Sequence, residues 1–208
     1  PDTSGLIEVE RAPSLAFYDH EGRLIARRGS AHGRLAVIEE LPDYVGDAVM
    51  AVEDRRFYSH FGIDLIGTAR ALLANIRAGH VVQGGSTLTQ QLAKNLFLTS
   101  ERTLRRKVQE VMLAFWLESQ FTKDEILELY LNRVYFGGGA WGIEAASTRY
   151  FGKTASELNL GEAALLAGLL KAPSRYSPVN DAQRAAARAT VVLDLMAQTG
   201  RITEQERI

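Results

Sequence analysis

The sequence predicts a mainly α-helical domain that begins with a short β-hairpin. Beyond Pro42, apolar residues recur three to four positions apart, which is the spacing of one face of an α-helix. Residues 14–29 instead alternate apolar and polar side chains, a pattern typical of strands. Later segments open with Thr or Asn followed three positions on by Glu, the signature of a capping box at a helix start.

The hairpin is predicted from two short alternating arms. Leu15 and Phe17 alternate on the first arm, and Leu24 and Ala26 alternate on the second. A His-Glu-Gly stretch between them supplies the turn. We therefore assign residues 1–35 to an N-terminal β segment and linker.

Residues 36–208 are predicted to form one helical domain. A turn is expected at Gly137–Gly139, with a helix restarting at Ala140. Helices are predicted from Pro42 to Asp54 and over residues 63–78, 87–96, 104–121 and 181–198. Three more are predicted to begin at the capping boxes 122–125, 154–157 and 159–162.

Composition excludes several classes of protein. The 24 basic residues nearly balance the 25 acidic ones, whereas a nucleic-acid-binding protein usually has a basic excess. The chain has no cysteine, which excludes disulfides and thiolate metal sites. The longest apolar run, residues 163–170, is far shorter than the roughly 20 residues of a membrane span. The opening PDTSGL is interpreted as the start of a fragment, which leaves room for a membrane anchor before it.

Two acidic residues, Glu53 and Asp54, end the first predicted helix. The negative end of the helix dipole disfavours a carboxylate and tends to raise its pKa, which suits a general base near neutral pH. The alternative is a surface cluster in which Arg55 and Arg56 pair with the two acids.

The stretch GGSTLTQQLAKN, residues 84–95, can bind an anion at a helix N-terminus. Thr87, Gln91 and Lys94 fall on one helix face and offer a hydroxyl, an amide and an ammonium group. A nucleotide-binding P-loop is excluded, because its Lys is missing and the preceding segment is helical. The alternative is a plain helix cap followed by a solvated face.

A third cluster places Arg105, Arg106 and Lys107 in the first turns of a long helix, close to Glu110. Cations there oppose the helix dipole, so a bound polyanion would explain them. A solvated basic turn is the alternative. Elsewhere the chain has no zinc-binding His pair and no D-x-D motif, and its lone histidines are more typical of structural roles.

Five motifs in this order resemble the peptidoglycan glycosyltransferases, glycosyltransferase family 51. The resemblance covers about residues 40–180. The motifs are E-D-x-x-F-x-x-H-x-G at 53–62, G-G-S-T-x-T-Q-Q-x-x-K-N at 84–95, R-K-x-x-E at 106–110, I-L-E-x-Y-L-N at 126–132 and Y-F-G-K at 150–153. The hairpin and the tail LMAQTGRITEQE resemble the class A penicillin-binding proteins. In those proteins a transpeptidase domain follows, and its S-x-x-K motif is absent from this chain.

The resemblance implies a lysozyme-like helical fold and polymerisation of lipid II. The 4-hydroxyl of one sugar attacks the anomeric carbon of the growing chain, undecaprenyl pyrophosphate leaves, and an α-linkage becomes β-1,4. The implied partners are lipid II, the growing glycan chain, the membrane surface and other cell-wall synthesis proteins, with no nucleic acid. The implied location is the periplasmic face of the bacterial inner membrane.

The resemblance also implies roles for individual residues. Glu53 becomes the general base and Glu110 a second acid that stays ionised among cations. Lys94, Arg106 and Lys107 place positive charge on the departing pyrophosphate. The residues expected to bind substrate are Asp54, Phe57, His60, Ser86, Thr87, Gln91, Lys94, Asn95, Arg106, Lys107, Asn132 and Lys171.

Three expectations remain open at the level of sequence. No cofactor is required with certainty, and a divalent cation, Mg or Mn, bound with help from Glu110 is left open. A glycoside hydrolase and a non-catalytic module that binds lipid II are the rival functions. Because the lipid stays in the bilayer, a segment after His60 is expected to dock on the membrane through Phe61, Ile63, Leu65, Ile66 and Leu72.

Overall fold

The computed structural model describes residues 15–21, 24–28, 31–32, 35–80, 84–98 and 103–208. The fold is mostly helical with little strand, which confirms the predicted class. Strands β1 (Leu15–Tyr18) and β2 (Leu24–Arg28) pair in antiparallel fashion, with Leu15 opposite Arg28. The predicted hairpin is therefore present.

A second, three-stranded sheet joins distant parts of the chain. It consists of β3 (Ala31–His32), β4 (Tyr135–Gly137) and β5 (Ala140–Trp141), in the order β3-β5-β4. The strands β3 and β5 are parallel, whereas β4 and β5 are antiparallel.

The prediction that a helix restarts at Ala140 is wrong, because Ala140 lies in β5. The backbone N–H of Gly142 donates to Val134 O at 2.9 Å and closes the β4–β5 hairpin. Gly142 has a φ of 85°, and a Cβ there would lie 2.8 Å from Asn132 O. The chain therefore leaves the hairpin through this glycine before the next helix begins at Ile143.

The helices begin close to the predicted positions. Thr87, Thr122 and Asn159 each form a capping box in which the side chain caps a helix and a residue three positions later returns the hydrogen bond. The helices are α1 (Asp43–Glu53), α2 (Leu65–Ala78), α3 (Leu88–Phe97), α4 (Leu104–Gln120), α5 (Lys123–Arg133), α6 (Ile143–Phe151), α7 (Leu160–Leu169), α8 (Pro173–Tyr176), α9 (Ala182–Gln198) and α10 (Glu204–Arg207).

Two starts differ from the sequence prediction. The α2 helix begins at Leu65 instead of residue 63, since Phe61 and Ile63 form an isolated β-bridge ahead of it. The capping box at Thr154 opens only the 3-10 turn Ala155–Glu157, because the cap of α7 follows almost at once.

The core is built around α7, which is apolar on nearly all sides. Its alanines and the leucines at 166 and 169 are buried, and the helix packs against both α1 and α9. The α3 helix packs against α4 and α5. These two sets of contacts bring the C-terminal end of α1 next to the N-terminal half of α3. Within the described ranges, no helix is both long and apolar enough to span a bilayer.

Candidate active site

An open cleft of about 620 Å³ lies where α1 ends and α3 begins. Its walls come from the end of α1, the N-terminal half of α2, the segment before α3, α3 itself, the end of α7 and one face of α9. The lining residues used below are Glu53, Asp54, Arg55, Arg70, Ser86, Thr87, Gln91, Lys94, Lys171 and Arg188.

Glu53 is the last residue of α1 and faces the cleft. Burial raises the pKa of its carboxyl group, while a hydrogen bond from Gln91 and the charges of Arg188 and Lys171 partly offset that rise. The direction agrees with the sequence-based expectation, but the main cause is desolvation. The alternative pairing with arginines is not seen, since Arg56 lies 3.5 Å from Asp64 instead.

Gln91 connects Glu53 to the core. Its Nε2 donates to Glu53 Oε2 at 2.9 Å, and its Oε1 accepts a hydrogen bond of 3.2 Å from the hydroxyl of Tyr130. Tyr130 is fully buried on α5. Gln91 therefore contacts the candidate base directly, although it was expected only to bind substrate.

Asp54 and His60 have partners within the protein. Both carboxylate oxygens of Asp54 lie 3.0 Å from His60 Nε2, and Oδ2 also accepts from the backbone N–H of Leu88 at 3.0 Å. The His60 side chain is only 4% exposed. The ring of His60 holds Asp54 beneath the N-terminus of α3 and does not line the cleft, so its expected role in binding substrate stays a prediction.

Two further residues that were expected to bind substrate do not line the cleft. Phe57 is fully buried, with its ring edge-on to Tyr58 and the ammonium group of Lys123 4.4 Å from its centroid. The side-chain amide of Asn132 donates to Ala36 O at 2.8 Å and accepts from Ala36 N at 2.9 Å. Neither side chain lines the cleft, and their expected roles in binding substrate stay predictions.

Thr87 caps α3, as the plain-cap alternative proposed. Its hydroxyl oxygen accepts from the backbone N–H of Gln90 at 3.1 Å, and the hydroxyl donates to Gly62 O at 2.7 Å. The side chain is thus fully engaged at the edge of the cleft. Gly85 lies against α2, where a Cβ would be 3.3 Å from Thr68 Cα. A side chain at Gly85 would push this segment away from α2.

Ser86 links the cleft to the basic cluster on α4. Lys107 Nζ donates to Ser86 Oγ at 3.0 Å and to Glu110 Oε1 at 2.5 Å. Arg106 lies 3.6 Å from the other carboxylate oxygen of Glu110, which is buried. Glu110 therefore orients two cations toward the segment before α3 and does not itself line the cleft.

The described cleft walls carry more positive charge than the sequence motifs indicated. Lys94 and Lys171 are exposed on them as expected, while Asn95 lies on the outer face of α3 away from the cleft. Arg55, Arg70 and Arg188 also line the cleft, and no sequence motif indicated Arg70 or Arg188.

A periodic signal could have identified Arg188. Ala185, Val192 and Met196 are the buried residues of α9, and Arg188 falls on the same face three and four positions away from the first two. Gly168 on α7 makes room for it, because a Cβ there would lie 3.0 Å from Arg188 Cγ. A cation on the buried face of an otherwise Ala-rich helix indicates a partner in the tertiary structure.

The residues around Glu110 do not fit a divalent cation. Its two oxygens already contact Lys107 and Arg106, and cations repel a metal ion. In the part of the chain that the structure describes, no three His, Asp or Glu side chains converge as a metal site requires. No step below uses a metal.

The cleft places the desolvated carboxylate of Glu53 among cations, which defines a site for acid–base chemistry on an anionic substrate. A model of the transglycosylase family matches residues 21–197. The chain belongs to this family and is a glycosyltransferase domain.

Its relatives are longer proteins. The chain is 51% identical over 202 residues to penicillin-binding protein 1A of Aquifex aeolicus (strain VF5). The aligned region covers 97% of this chain and 28% of that protein. It is 46% identical over 206 residues to penicillin-binding protein 1A of Escherichia coli (strain K12), covering 99% and 24%. The fold is similar to the crystal structure of penicillin-binding protein 1A from Haemophilus influenzae, with a TM-score of 0.56 and 25% identity over 96% of this chain and 20% of that one. The chain thus spans about a quarter of the curated relatives it matches.

Proposed function

We propose that this domain is a peptidoglycan glycosyltransferase that polymerises lipid II with inversion at the anomeric carbon. One observation carries the proposal: the candidate base Glu53 faces a cleft in which Lys94, Lys171 and Arg188 are also present. A desolvated carboxylate can accept a proton near neutral pH, and cations nearby can stabilise a departing pyrophosphate.

The proposed reaction balances without a cofactor. Glu53 takes the proton of the acceptor 4-hydroxyl as that oxygen forms a bond to the donor anomeric carbon. The bond from this carbon to the pyrophosphate oxygen breaks, and its electron pair leaves on undecaprenyl pyrophosphate. Pyrophosphate is a good leaving group, so the step needs positive charge more than a general acid. Glu53 then returns its proton to solvent.

The arrangement of the other acids favours a transferase over a glycoside hydrolase. A hydrolase needs a protonated carboxylic acid for a poor leaving group, usually opposite a second carboxylate. Glu110 accepts hydrogen bonds from Lys107, and Asp54 is held by His60 and the backbone of Leu88. Neither acid is free to protonate a leaving oxygen.

A non-catalytic module that only grips lipid II is the second rival. Such a module would need the cations but would gain nothing from the hydrogen bonds that hold Glu53 in the cleft. The contact between Gln91 and Glu53, supported by Tyr130, therefore favours the enzyme.

Membrane docking through α2 and α4 is part of the proposal. Phe61 and Phe115 stack with centroids 6.2 Å apart and join the segment before α2 to α4 at this surface. Ile63 is only partly exposed, so it contributes less than expected. The large exposed side chains there are Phe61, Leu65, Ile66, Leu72, Leu73, Ile76, Leu104, Val108, Met112 and Phe115. An apolar patch of this kind is typical of a surface that binds a membrane or a partner.

The cellular setting follows from the lipid-linked substrate. We propose that the domain works at the periplasmic face of the bacterial inner membrane, on lipid II and the growing glycan chain. Other cell-wall synthesis proteins are proposed as its partners.

Polymerisation of labelled lipid II in detergent tests the function, with the wild-type chain compared with Glu53→Gln. We expect glycan ladders from the wild type and none from the variant, which should still bind lipid II. Release of free disaccharide-peptide in place of ladders would favour the hydrolase. Binding of lipid II without turnover by either protein would favour the gripping module.

A further inference from the structure

A partly buried chain of two hydrogen bonds runs from α5 through α3 to the end of α1. Tyr130 donates to Gln91 Oε1, and Gln91 Nε2 donates to Glu53 Oε2. Tyr130 is 1% exposed and does not line the cleft. The amide of Gln91 therefore links the tyrosine hydroxyl to Glu53 by hydrogen bonds.

From this geometry we infer that Tyr130 is a positioning residue that fixes which end of the Gln91 amide faces Glu53. The inference rests on the proposed role of Glu53 as the base. It assigns Tyr130 a part in the reaction although the substrate cannot reach it.

The side-chain amide of Gln91 has two possible orientations, and they differ in energy. As observed, its N–H group faces the carboxylate and its oxygen faces the tyrosine hydroxyl. In the flipped orientation, the amide oxygen would face the ionised oxygen of Glu53, and two acceptors would repel each other. The buried hydroxyl proton of Tyr130 would at the same time lose its acceptor, and an unpaired buried donor is costly. Both effects favour the observed orientation.

The orientation matters because Glu53 must exist as a carboxylate before it can accept a proton. Burial raises the pKa of Glu53, and the hydrogen bond from Gln91 opposes this rise. A flipped amide would instead accept a hydrogen bond from protonated Glu53 and favour the inactive form. Tyr130 thus keeps more of the base ionised at a given pH.

The test replaces Tyr130→Phe, which removes one oxygen atom and keeps the ring that fills the core. Tyr44→Phe is the matched control, since the Tyr44 hydroxyl lies on α1, the helix of Glu53, but donates to Leu158 O at 2.6 Å. Carbon-13 labelling of glutamate carboxyl groups lets the Glu53 titration be followed by NMR and assigned with Glu53→Gln. The pH dependence of kcat/KM for lipid II polymerisation is measured on the same proteins.

We expect Tyr130→Phe to move the Glu53 titration and the acid limb of kcat/KM to higher pH, and Tyr44→Phe to move neither. Gln91→Met should produce a shift in the same direction. In the double variant, the loss of the hydroxyl should add nothing, because Gln91 is the intermediary.

Two outcomes would overturn the inference. One is a Glu53 titration in Tyr130→Phe that is unchanged from the wild type. The other is a tyrosine effect that persists in the Gln91→Met background, which would mean that Tyr130 acts on Glu53 without the amide. The NMR titration does not depend on turnover. A wild-type chain that makes no polymer would therefore count against the proposed function, while the positioning role would still be decided.

Discussion

His60 Nε2 lies 3.0 Å from both carboxylate oxygens of Asp54. Because Asp54 also accepts from the backbone N–H of Leu88, this pair ties the loop after α1 to the N-terminus of α3. The carboxylate replaces a partner that the first N–H groups of a helix lack, and its negative charge complements the helix dipole. The pair thereby sets the distance between Glu53 and Gln91.

We predict that Asp54→Ala is strongly destabilising. The change leaves His60 and the Leu88 N–H group buried without their acceptor, at a cost of about 1–3 kcal/mol for each. Asp54→Asn should cost less, since its amide oxygen can still accept one hydrogen bond. Denaturant unfolding followed by circular dichroism measures the effect.

The control is Asp194→Ala, which removes a surface contact to Arg207. A surface pair of this kind is worth about 0–1 kcal/mol. Equal unfolding midpoints for Asp54→Ala and Asp194→Ala would contradict the structural role of Asp54.

A second prediction concerns Glu53→Gln and the pH dependence of stability. The folded-state pKa of Glu53 is raised above 4.5 by burial, so the folded protein binds more protons than the unfolded chain in the window between the two values. Stability of the wild type therefore falls as pH rises through this window. Glu53→Gln lacks this loss of stability. The free energy of unfolding of the variant should therefore increase relative to that of the wild type as pH rises above 4.5.

Glu157→Gln is a control of opposite sign for the same titration. Hydrogen bonds from Thr154 lower the pKa of Glu157, so its stabilisation is present above the ordinary value of 4.5 and disappears in acid. The two difference curves, measured by unfolding at a series of pH values, should run in opposite directions. Parallel curves would show that Glu53 is not desolvated in the folded state.

Arg188 is predicted to tune the base from the opposite wall of the cleft. Its charge lowers the pKa of Glu53, so Arg188→Met should move the acid limb of the activity profile to higher pH. Arg184→Met provides the control, because Arg184 lies one turn earlier on α9 and pairs with Asp181. The measurement is the rate of lipid II polymerisation from acid to neutral pH. Identical pH profiles for the two variants would exclude an effect of Arg188 on the pKa of Glu53.

Glu110→Gln is expected to lower kcat by about 100-fold, the scale of a displaced positioning group. Without its carboxylate partner, Lys107 is no longer held between Glu110 and Ser86. Gln109→Ala, an exposed change on the same helix, should be neutral. Steady-state kinetics provides the measurement. A Glu110→Gln enzyme as fast as Gln109→Ala would exclude this role.

The apolar surface on α2 is predicted to carry membrane binding. Leu65 and Leu73 are 77% and 54% exposed, so Leu65→Glu with Leu73→Glu should leave the fold intact while abolishing flotation with phospholipid vesicles. The matched control changes Val179→Glu and Val191→Glu, which are exposed elsewhere. Loss of flotation in both double variants, or in neither, would place the docking surface outside α2.

The local structure of this chain was largely predictable from sequence. Helix caps such as Thr87, Thr122 and Asn159 depend on side chains that reach only three residues along the chain, so their pattern is visible in the sequence. The position of Glu53 at the end of α1 was predictable for the same reason. The β4–β5 hairpin was missed because its strands are short and its exit depends on the contact of Gly142 with Val134.

Motif membership did not reveal which way each side chain points. Phe57, His60 and Asn132 stand in the same motifs as the residues of the cleft, yet the contacts of their side chains are with other parts of the protein. A motif marks positions whose residue types the fold requires, and the requirement can come from packing as well as from a substrate. Contacts between residues that are distant in the sequence decide whether a motif residue has a packing role or a substrate-binding role.

The sequence by itself determined the helical class, the family resemblance and the identity of the candidate base, since these depend on residue type and local spacing. Only the tertiary structure decided that burial raises the pKa of Glu53, that Tyr130 acts on it through Gln91, and that Arg188 enters the cleft over Gly168. The physical reason is that desolvation and charge depend on which distant side chains surround a group, and α1, α3, α5, α7 and α9 must pack before those surroundings exist.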